Sequence, residues 1–278
     1  MNYRHAFHAG NFADVAKHAT LLALLAKLQS EPAALTVIDT HAGAGVYDLA
    51  GPEASRTSEA EAGILRLMAA PETPEALQPL KAAVARLNPA GAPRIYPGSP
   101  QLLAERLRPG DRLIACEARS DDHAILANAL RAWPGAECLL ADGWTLAVSR
   151  APKPPARLLV LIDPPYESRD DVAQAAGLVR QILSANRGAV IAVWAPIKDL
   201  MGFDTLVGRI EDAARGRPLL IAEARLRPLT DPMRLNGAAL LVVNPPAGLE
   251  KPAREIAQWV AVSAGEGGEG RVNLAGRP

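Results

Sequence analysis

Two cysteines among 278 residues, Cys116 and Cys138, are too few for a disulfide framework and show no metal-ligand spacing. Each lies in an apolar, strand-like run, so both are expected as buried free thiols in a reducing cytoplasm. Excess charge is missing as well, because 30 Lys and Arg balance 30 Asp and Glu. A chain so balanced does not coat polyanions, and any nucleic-acid surface must be a local patch with limited counterion release. No apolar stretch approaches the roughly 20 residues of a membrane-spanning helix. The N-terminus, MNYRHAFHAGN, lacks the apolar core of a signal peptide. A soluble, cytoplasmic protein without membrane contact is expected, and net neutrality is compatible with a monomer. Internal repeats are absent.

Hydrophobic residues are plentiful, at 49% of the chain, enough to bury the core of one large domain or of one domain with an insertion. A helical pattern runs from Phe12 to Leu28, with Asn11 or Asp14 as its cap. LTVID (35–39) then reads as a buried parallel strand, broken by THAGAG. Further apolar runs come at 112–117, 137–142, 157–163, 189–195, 218–226 and 238–244, most of them separated by helical patterns at 119–132, 169–185 and 203–214. This alternation specifies a doubly wound α/β sheet, and the last two strands can form a hairpin.

One spacing is abnormal. A compact βαβ unit returns a strand after about thirty residues, whereas about seventy separate LTVID from RLIACE. Residues 48–98, rich in Ala, Glu and Pro, are therefore expected as an inserted helical subdomain, with helices near 57–69 and 74–87. The start of the main domain then occupies 1–47 and its remainder 99–263. The Gly- and Glu-rich segment 264–278 has little to bury and is expected to be mobile.

Chemistry concentrates where RLLVLI (157–162) ends in Asp163-Pro164-Pro165-Tyr166. A planar amine on a base or amide is a poor nucleophile because its lone pair is delocalised. A carboxylate and a proline carbonyl that accept both N–H bonds turn that lone pair toward an incoming methyl group. Prolines fix φ and aim their carbonyls, and Tyr166 can cover the face of the base. The motif points to amine methylation. LLVVNPPA (240–247) is a near copy without the aromatic ring, and reads as a late strand of the sheet.

Three other polar positions belong with Asp163. Asp39 to Gly45, DTHAGAG, forms a turn in which Gly43 and Gly45 let the backbone approach a ligand. That loop lacks the third glycine of a dinucleotide fingerprint, which disfavours a pyrophosphate. Glu117 ends the next strand, where an acid can accept both hydroxyls of a ribose. Asp142-Gly143 ends the third, where a carboxylate and an amide can read an adenine edge. Carboxyl ends of parallel strands share one crevice, so these positions converge. Taken singly, each acid could equally be a helix cap.

With those residues the chain resembles the bacterial ribosomal RNA large subunit methyltransferase J family, which methylates the exocyclic N(6) amine of one adenine in 23S rRNA. YRHAFHAGNFADVAKH (3–18), DTHAGAG, YPGSP (96–100) and IDPPYE (162–167) carry the resemblance, which runs to about Trp259. It implies a Rossmann-like class I S-adenosylmethionine-dependent fold, with a mostly parallel seven-stranded sheet and an inserted helical subdomain. It also implies Asp163 as the catalytic acceptor, assisted by Pro164 and Tyr166. His18, His41, Ser99, Glu117, Asp142, Gly143 and Asp163 become contacts of S-adenosylmethionine, and Lys17 a residue near its carboxylate. Tyr3 becomes a contact to 23S rRNA or its large-subunit precursor. Arg4 and the other basic residues of the N-terminal stretch suit RNA phosphate, and S-adenosylhomocysteine is the expected product, with no metal. A DNA adenine methyltransferase, a protein glutamine methyltransferase and a silent RNA-binding module on the same scaffold are the competing readings.

Overall fold

The computed structural model describes residues 4–168, 170–265 and 267–275. Helix α1 (Phe12–Gln29) starts where the Asn11 side chain accepts the Asp14 amide at 2.9 Å, the expected cap. It is buried on most of its circumference, because the sheet lies on one side and residues from 48–98 pack on the other.

The main strands are β1 (Leu35–Asp39), β4 (Arg112–Glu117), β5 (Ala136–Leu140), β6 (Arg157–Ile162), β7 (Val190–Ile197), β8 (Leu219–Arg225), β9 (Gly237–Val243) and β10 (Glu269–Ala275). They form one eight-stranded sheet in the order β10-β8-β9-β7-β6-β1-β4-β5. β1 and β4 through β8 point one way, and β9 and β10 run against them. Val, Ile and Leu fill both faces. α8 (Gly143–Arg150), α9 (Asp171–Ala185) and α10 (Leu200–Ala214) cover one face, while α1, α6 (Ser99–Ala104), α7 (Ser120–Leu130) and α11 (Glu250–Ala264) cover the other. Cys116 is buried as expected, whereas Cys138 is half-buried; both thiols are free. No described helix is long and apolar enough to cross a membrane.

The eighth strand corrects the expectation for the tail. β10 pairs with the whole of β8, from Glu269 opposite Arg225 to Ala275 opposite Leu219, and satisfies what would be an open edge. Its glycines signal tight packing here. A Cβ on Gly268 would lie 2.4 Å from the Ala261 carbonyl oxygen, and one on Gly270 2.2 Å from the Gln258 nitrogen, so this segment can lie close to α11 only because both are absent.

Within 48–98 lie α2 (Ala54–Thr57), α3 (Glu59–Ala62), α4 (Ile64–Ala69) and α5 (Gln78–Leu87), while β2 (Val46–Asp48) and β3 (Ile95–Pro97) zip the two ends of the segment together. The pattern read as one helix over 57–69 is broken at Ser58, which sits at φ 51°, and at Gly63. A Cβ on Gly63 would stand 2.1 Å from the Gly10 carbonyl oxygen, which accepts the Ile64 amide at 2.7 Å. The break is therefore where the N-terminal stretch docks. Leu67, Leu77, Leu80 and Val84 bury themselves against Val15, Ala19 and Leu22 of α1.

From β1 the chain steps outward to β4 and β5 on one side, then returns to β6 and β7 on the other. The crevice of such a sheet opens at the carboxyl ends beside β1 and β6. Because β9 is antiparallel, Asn244-Pro245-Pro246 falls at the opposite edge from Asp163, and the Asn244 side chain donates to the Ala189 carbonyl at 2.8 Å.

Candidate active site

A cavity of about 1070 Å³ opens at those carboxyl ends, enough for a nucleoside-sized cofactor together with a second ring. At its centre the Asp163 carboxylate stands just past the end of β6. Lys17 Nζ donates to Asp163 Oδ2 at 2.6 Å and lies 3.0 Å from Asp14 Oδ1. Asp14 Oδ2 accepts the Gly10 amide at 2.9 Å and sits 2.9 Å from His5 Nε2. Burial works against the Lys17 charge, but Asp14 and Asp163 outweigh it and hold the ammonium above its usual range. Burial likewise opposes ionisation of Asp14, yet His5 and Lys17 keep its carboxyl well below the ordinary value. The outcome is a clamped ammonium on one oxygen of Asp163. Oδ1 of Asp163 has no hydrogen bond among the described residues.

Tyr166 stands at φ 52°, a strained left-handed conformation for an aromatic residue. Its hydroxyl donates to the Trp194 carbonyl at 2.6 Å, and the two rings lie 5.7 Å apart. The phenol is pinned to the backbone of β7 at Trp194, and both Tyr166 and the acid past β6 line the cavity.

On the β1, β4 and β5 side, Ser99 Oγ donates to Asp39 Oδ2 at 2.7 Å, while Asp39 Oδ1 is buried without a partner. Burial pushes the Asp39 carboxyl up to about 7 against the Ser99 hydrogen bond, and the Asp163 charge adds to the rise. Glu117 Oε2 accepts the Gly43 amide at 2.9 Å and Oε1 the Arg119 amide at 2.7 Å. Burial raises the Glu117 carboxyl, and those amides oppose the rise. Asp142 Oδ1 accepts the Trp144 amide at 3.0 Å and caps α8, so the capping role and the cavity position coincide. Burial lowers His41 to about 4 and His18 to about 3, which makes both rings neutral at pH 7. His18 Nδ1 lies 2.7 Å from the Tyr96 hydroxyl, and the His41 ring stands edge-on to Trp144 at 4.6 Å.

Two glycines are dictated by the backbone. Gly43 has φ +62° and no room for a Cβ, which would lie 2.3 Å from the Tyr47 hydroxyl. A Cβ on Gly143 would lie 1.9 Å from the Thr40 carbonyl oxygen, a backbone atom that cannot swing away. Gly143→Ala should therefore cost about 1–3 kcal/mol or more through overpacking, read as a lower melting temperature together with displacement of the α8 N-terminus.

Asp39 gives the apoprotein a pH signature. A buried acid whose folded pKa lies near 7, above about 3.9 in the unfolded chain, favours the protonated folded form, so its stability contribution is lost as pH rises from about 4 through 7. His18 and His41 act oppositely, because lowered values cost stability as pH falls below about 6.5. The difference in melting temperature between Asp39→Asn and wild type should grow in favour of the variant from pH 5 to pH 8. A difference flat with pH would place the Asp39 proton elsewhere.

Lys17, His18, His41, Gly43 and Ser99 all line the cavity, as do Glu117, Asp142, Gly143, Asp163, Pro164 and Tyr166. Gly45 does not. At φ +79°, it accepts the Gly98 amide at 2.8 Å behind the loop. Arg4 also lies away from the cavity and pairs with Asp121 at 3.0 Å. Tyr3 falls outside the described residues. Lys17 faces Asp14 and Asp163, an arrangement different from an ammonium reaching for a cofactor carboxylate. Sequence reading missed the roles of Asp14, Asp39 and Trp194. The three-residue spacing of Asp14 and Lys17 on one helix face and the strand-end position of Asp39 were available signals; nothing local marks Trp194.

Residues 32–275 match the family described as "Ribosomal RNA large subunit methyltransferase D, RlmJ". Over 270 residues the chain is 31% identical to an Escherichia coli protein named ribosomal RNA large subunit methyltransferase J, covering 96% of each. A Haemophilus influenzae protein of the same name is 32% identical over 261 residues, covering 94% of this chain and 92% of that one. The crystal structure of a Legionella pneumophila protein superposes with a TM-score of 0.87 at 25% identity, covering 97% of this chain and 98% of that one.

Proposed function

The chain belongs to the RlmJ family of ribosomal RNA large subunit methyltransferases, and from that premise we propose that it methylates the exocyclic N(6) amine of one adenine in 23S rRNA. The observation that carries the reading is the Asp163 corner, clamped through Oδ2 by Lys17, with Oδ1 unpaired and with Pro164 and the pinned Tyr166 ring lining the same cavity. Oδ1 and the Pro164 carbonyl accept the two N–H bonds of the amine, and the lone pair turns out of the ring plane. Tyr166 stacks on the base. A stacked adenine cannot enter this crevice, so the target is extruded or unpaired, and stacking on the ring recovers about 1–3 kcal/mol of that cost.

S-adenosylmethionine fits the β1, β4 and β5 side. The Gly43 turn has no Cβ to block close approach, and Glu117 is held by two backbone amides with lone pairs left to accept ribose hydroxyls. Asp142 and Gly143 suit the adenine edge, while His18, His41 and Ser99 line the remaining wall as neutral groups. The cofactor would supply an activated methyl group for transfer to the amine nitrogen, with S-adenosylhomocysteine as the leaving group. This chain supplies position, which in near-attack geometry lowers the barrier by several kcal/mol. Asp163 orients the amine and stabilises its developing positive charge, and the product ammonium is acidic enough to lose its proton afterwards.

The test is nuclease digestion and mass spectrometry of protein-free 23S rRNA incubated with the protein and S-adenosylmethionine, with double- and single-stranded DNA in parallel. N(6)-methyladenosine at one site of the RNA alone is expected. Methylation of DNA alone, or of neither, would overturn the reading.

A further inference from the structure

On the far side of Tyr166 from the strand-end acids lie three cations that methyl transfer leaves unused. Lys198 comes directly after β7, Arg227 and Arg234 lie between β8 and β9, and all three line the cavity. In a chain whose charges balance overall, none of the three has an ion pair among the described residues. Arg227 Nε is buried with no hydrogen-bond partner. The acids nearest in sequence are committed to backbone amides. Asp199 accepts the Gly202 amide at 2.7 Å as the cap of α10, and Asp231 accepts the Met233 amide at 3.0 Å. Cations that share a cavity without ion pairs of their own repel one another, and an anion that enters beside them relieves this.

The corner is also rigid. Asn236 is fully buried, and its Nδ2 donates to the carbonyls of Lys198 and Asp231, both at 2.6 Å. Its backbone amide donates to the Ile197 carbonyl at 2.9 Å and its carbonyl accepts the Leu226 amide at 2.9 Å. One asparagine thus ties the end of β7 to the β8–β9 connection and fixes where Lys198 emerges relative to Arg227 and Arg234. Met201 and Met233, 81% and 88% exposed, flank the cations with flexible apolar surface.

We propose that this corner binds the RNA phosphates on either side of the extruded adenine, with Met201 and Met233 packing against the unstacked neighbouring bases. The inference rests on the proposed rRNA substrate and says where that RNA is held. RNA is the occupant that fits, since the cations sit beside the Tyr166–Trp194 platform where the base enters. The residues proposed to hold the cofactor lie across β6 and include the carboxylates Glu117 and Asp142. Phosphate contacts there position the strand, and Tyr166 with Asp163 receives the base.

The test compares wild type with the triple variant Lys198→Ala, Arg227→Ala, Arg234→Ala and with the charge-preserving triple Lys198→Arg, Arg227→Lys, Arg234→Lys. Filter binding to protein-free 23S rRNA over a range of salt gives affinity and salt slope, and calorimetry gives the affinity for S-adenosylhomocysteine. The alanine triple should weaken RNA binding on the order of tenfold or more, raise KM for RNA more than it lowers kcat, and leave the S-adenosylhomocysteine affinity unchanged. The slope of log K against log salt should fall by about 0.7 to 0.9 for each cation removed, and the charge-preserving triple should restore it. Wild-type RNA affinity and slope in the alanine triple would overturn the proposal while methylation by the wild type stood. Selective loss of S-adenosylhomocysteine affinity would assign the cations to the cofactor instead. A wild type that neither binds nor methylates the RNA would remove the rRNA reading, and this inference with it.

Discussion

Asp163→Asn is expected to reduce methyl transfer on the order of a thousandfold or more, with the protein folded and S-adenosylhomocysteine still bound within a few-fold of wild type. The substitution keeps the size of the side chain and an oxygen that can accept from Lys17 in place of the present 2.6 Å contact. What it loses is the second acceptor. If the asparagine oxygen stays on Lys17, its amide group faces the incoming amine, so two donors meet where donor and acceptor must. The developing positive charge of the amine loses its neighbouring carboxylate as well. Single-turnover rates at saturating cofactor and RNA would read this loss directly, and substantial residual turnover would remove Asp163 from the centre of the mechanism.

Lys17→Met should have an effect of similar size on turnover and a larger one on stability. The ammonium is 5% exposed and bridges two carboxylates, so its removal leaves Asp14 and Asp163 without their shared counter-charge. Breaking such a buried pair costs about 3–5 kcal/mol, because the two carboxylates lose the ammonium between them and only Asp14 keeps other partners, His5 and the Gly10 amide. Turnover should fall even at temperatures where the variant is folded, since Asp163 is no longer held by one oxygen and can rotate. A structural role alone would lower only the melting temperature. Combining Lys17→Met with Asp163→Asn should destabilise by clearly less than the sum of the two single changes, because both break the same contact.

Much of this was legible in the sequence, for identifiable reasons. The buried parallel strands LTVID and RLLVLI announced themselves as continuous apolar runs, and sheet topology then brings the residues just past each strand's carboxyl end into one crevice. That is why Asp163, Glu117 and Asp142 could be placed together without coordinates. The near copy at Asn244 could not be excluded so simply, since strand direction rather than composition puts it at the opposite edge. β10 was hidden because its glycines read as freedom, whereas they make room for α11. The Lys17 bridge was hidden for another reason: a cation near a cofactor loop suggests an anionic ligand, and only long-range packing of α1 against the end of β6 reveals the two carboxylates that claim it. The interruption at Gly63 belongs to the same class, set by a contact to Gly10 more than fifty residues away in sequence.

Residues 48–98 are tied to the site through the N-terminal stretch. His8 Nδ1 and the Asn11 side chain each lie 2.9 Å from the Glu59 carboxylate of α3, and Glu59 itself lines the cavity. Asn11 caps α1, and α1 carries Asp14, Lys17 and His18.

The central claim is tested most directly by a crystal structure of the protein with S-adenosylhomocysteine and adenosine. The account requires the N(6) amine within about 2.7–3.2 Å of Asp163 Oδ1, the base lying on the Tyr166 ring, the cofactor's sulfur facing that nitrogen, and Lys17 still on Oδ2. An adenine whose amine points away from Asp163, or a sulfur turned toward another wall of the cavity, would contradict it.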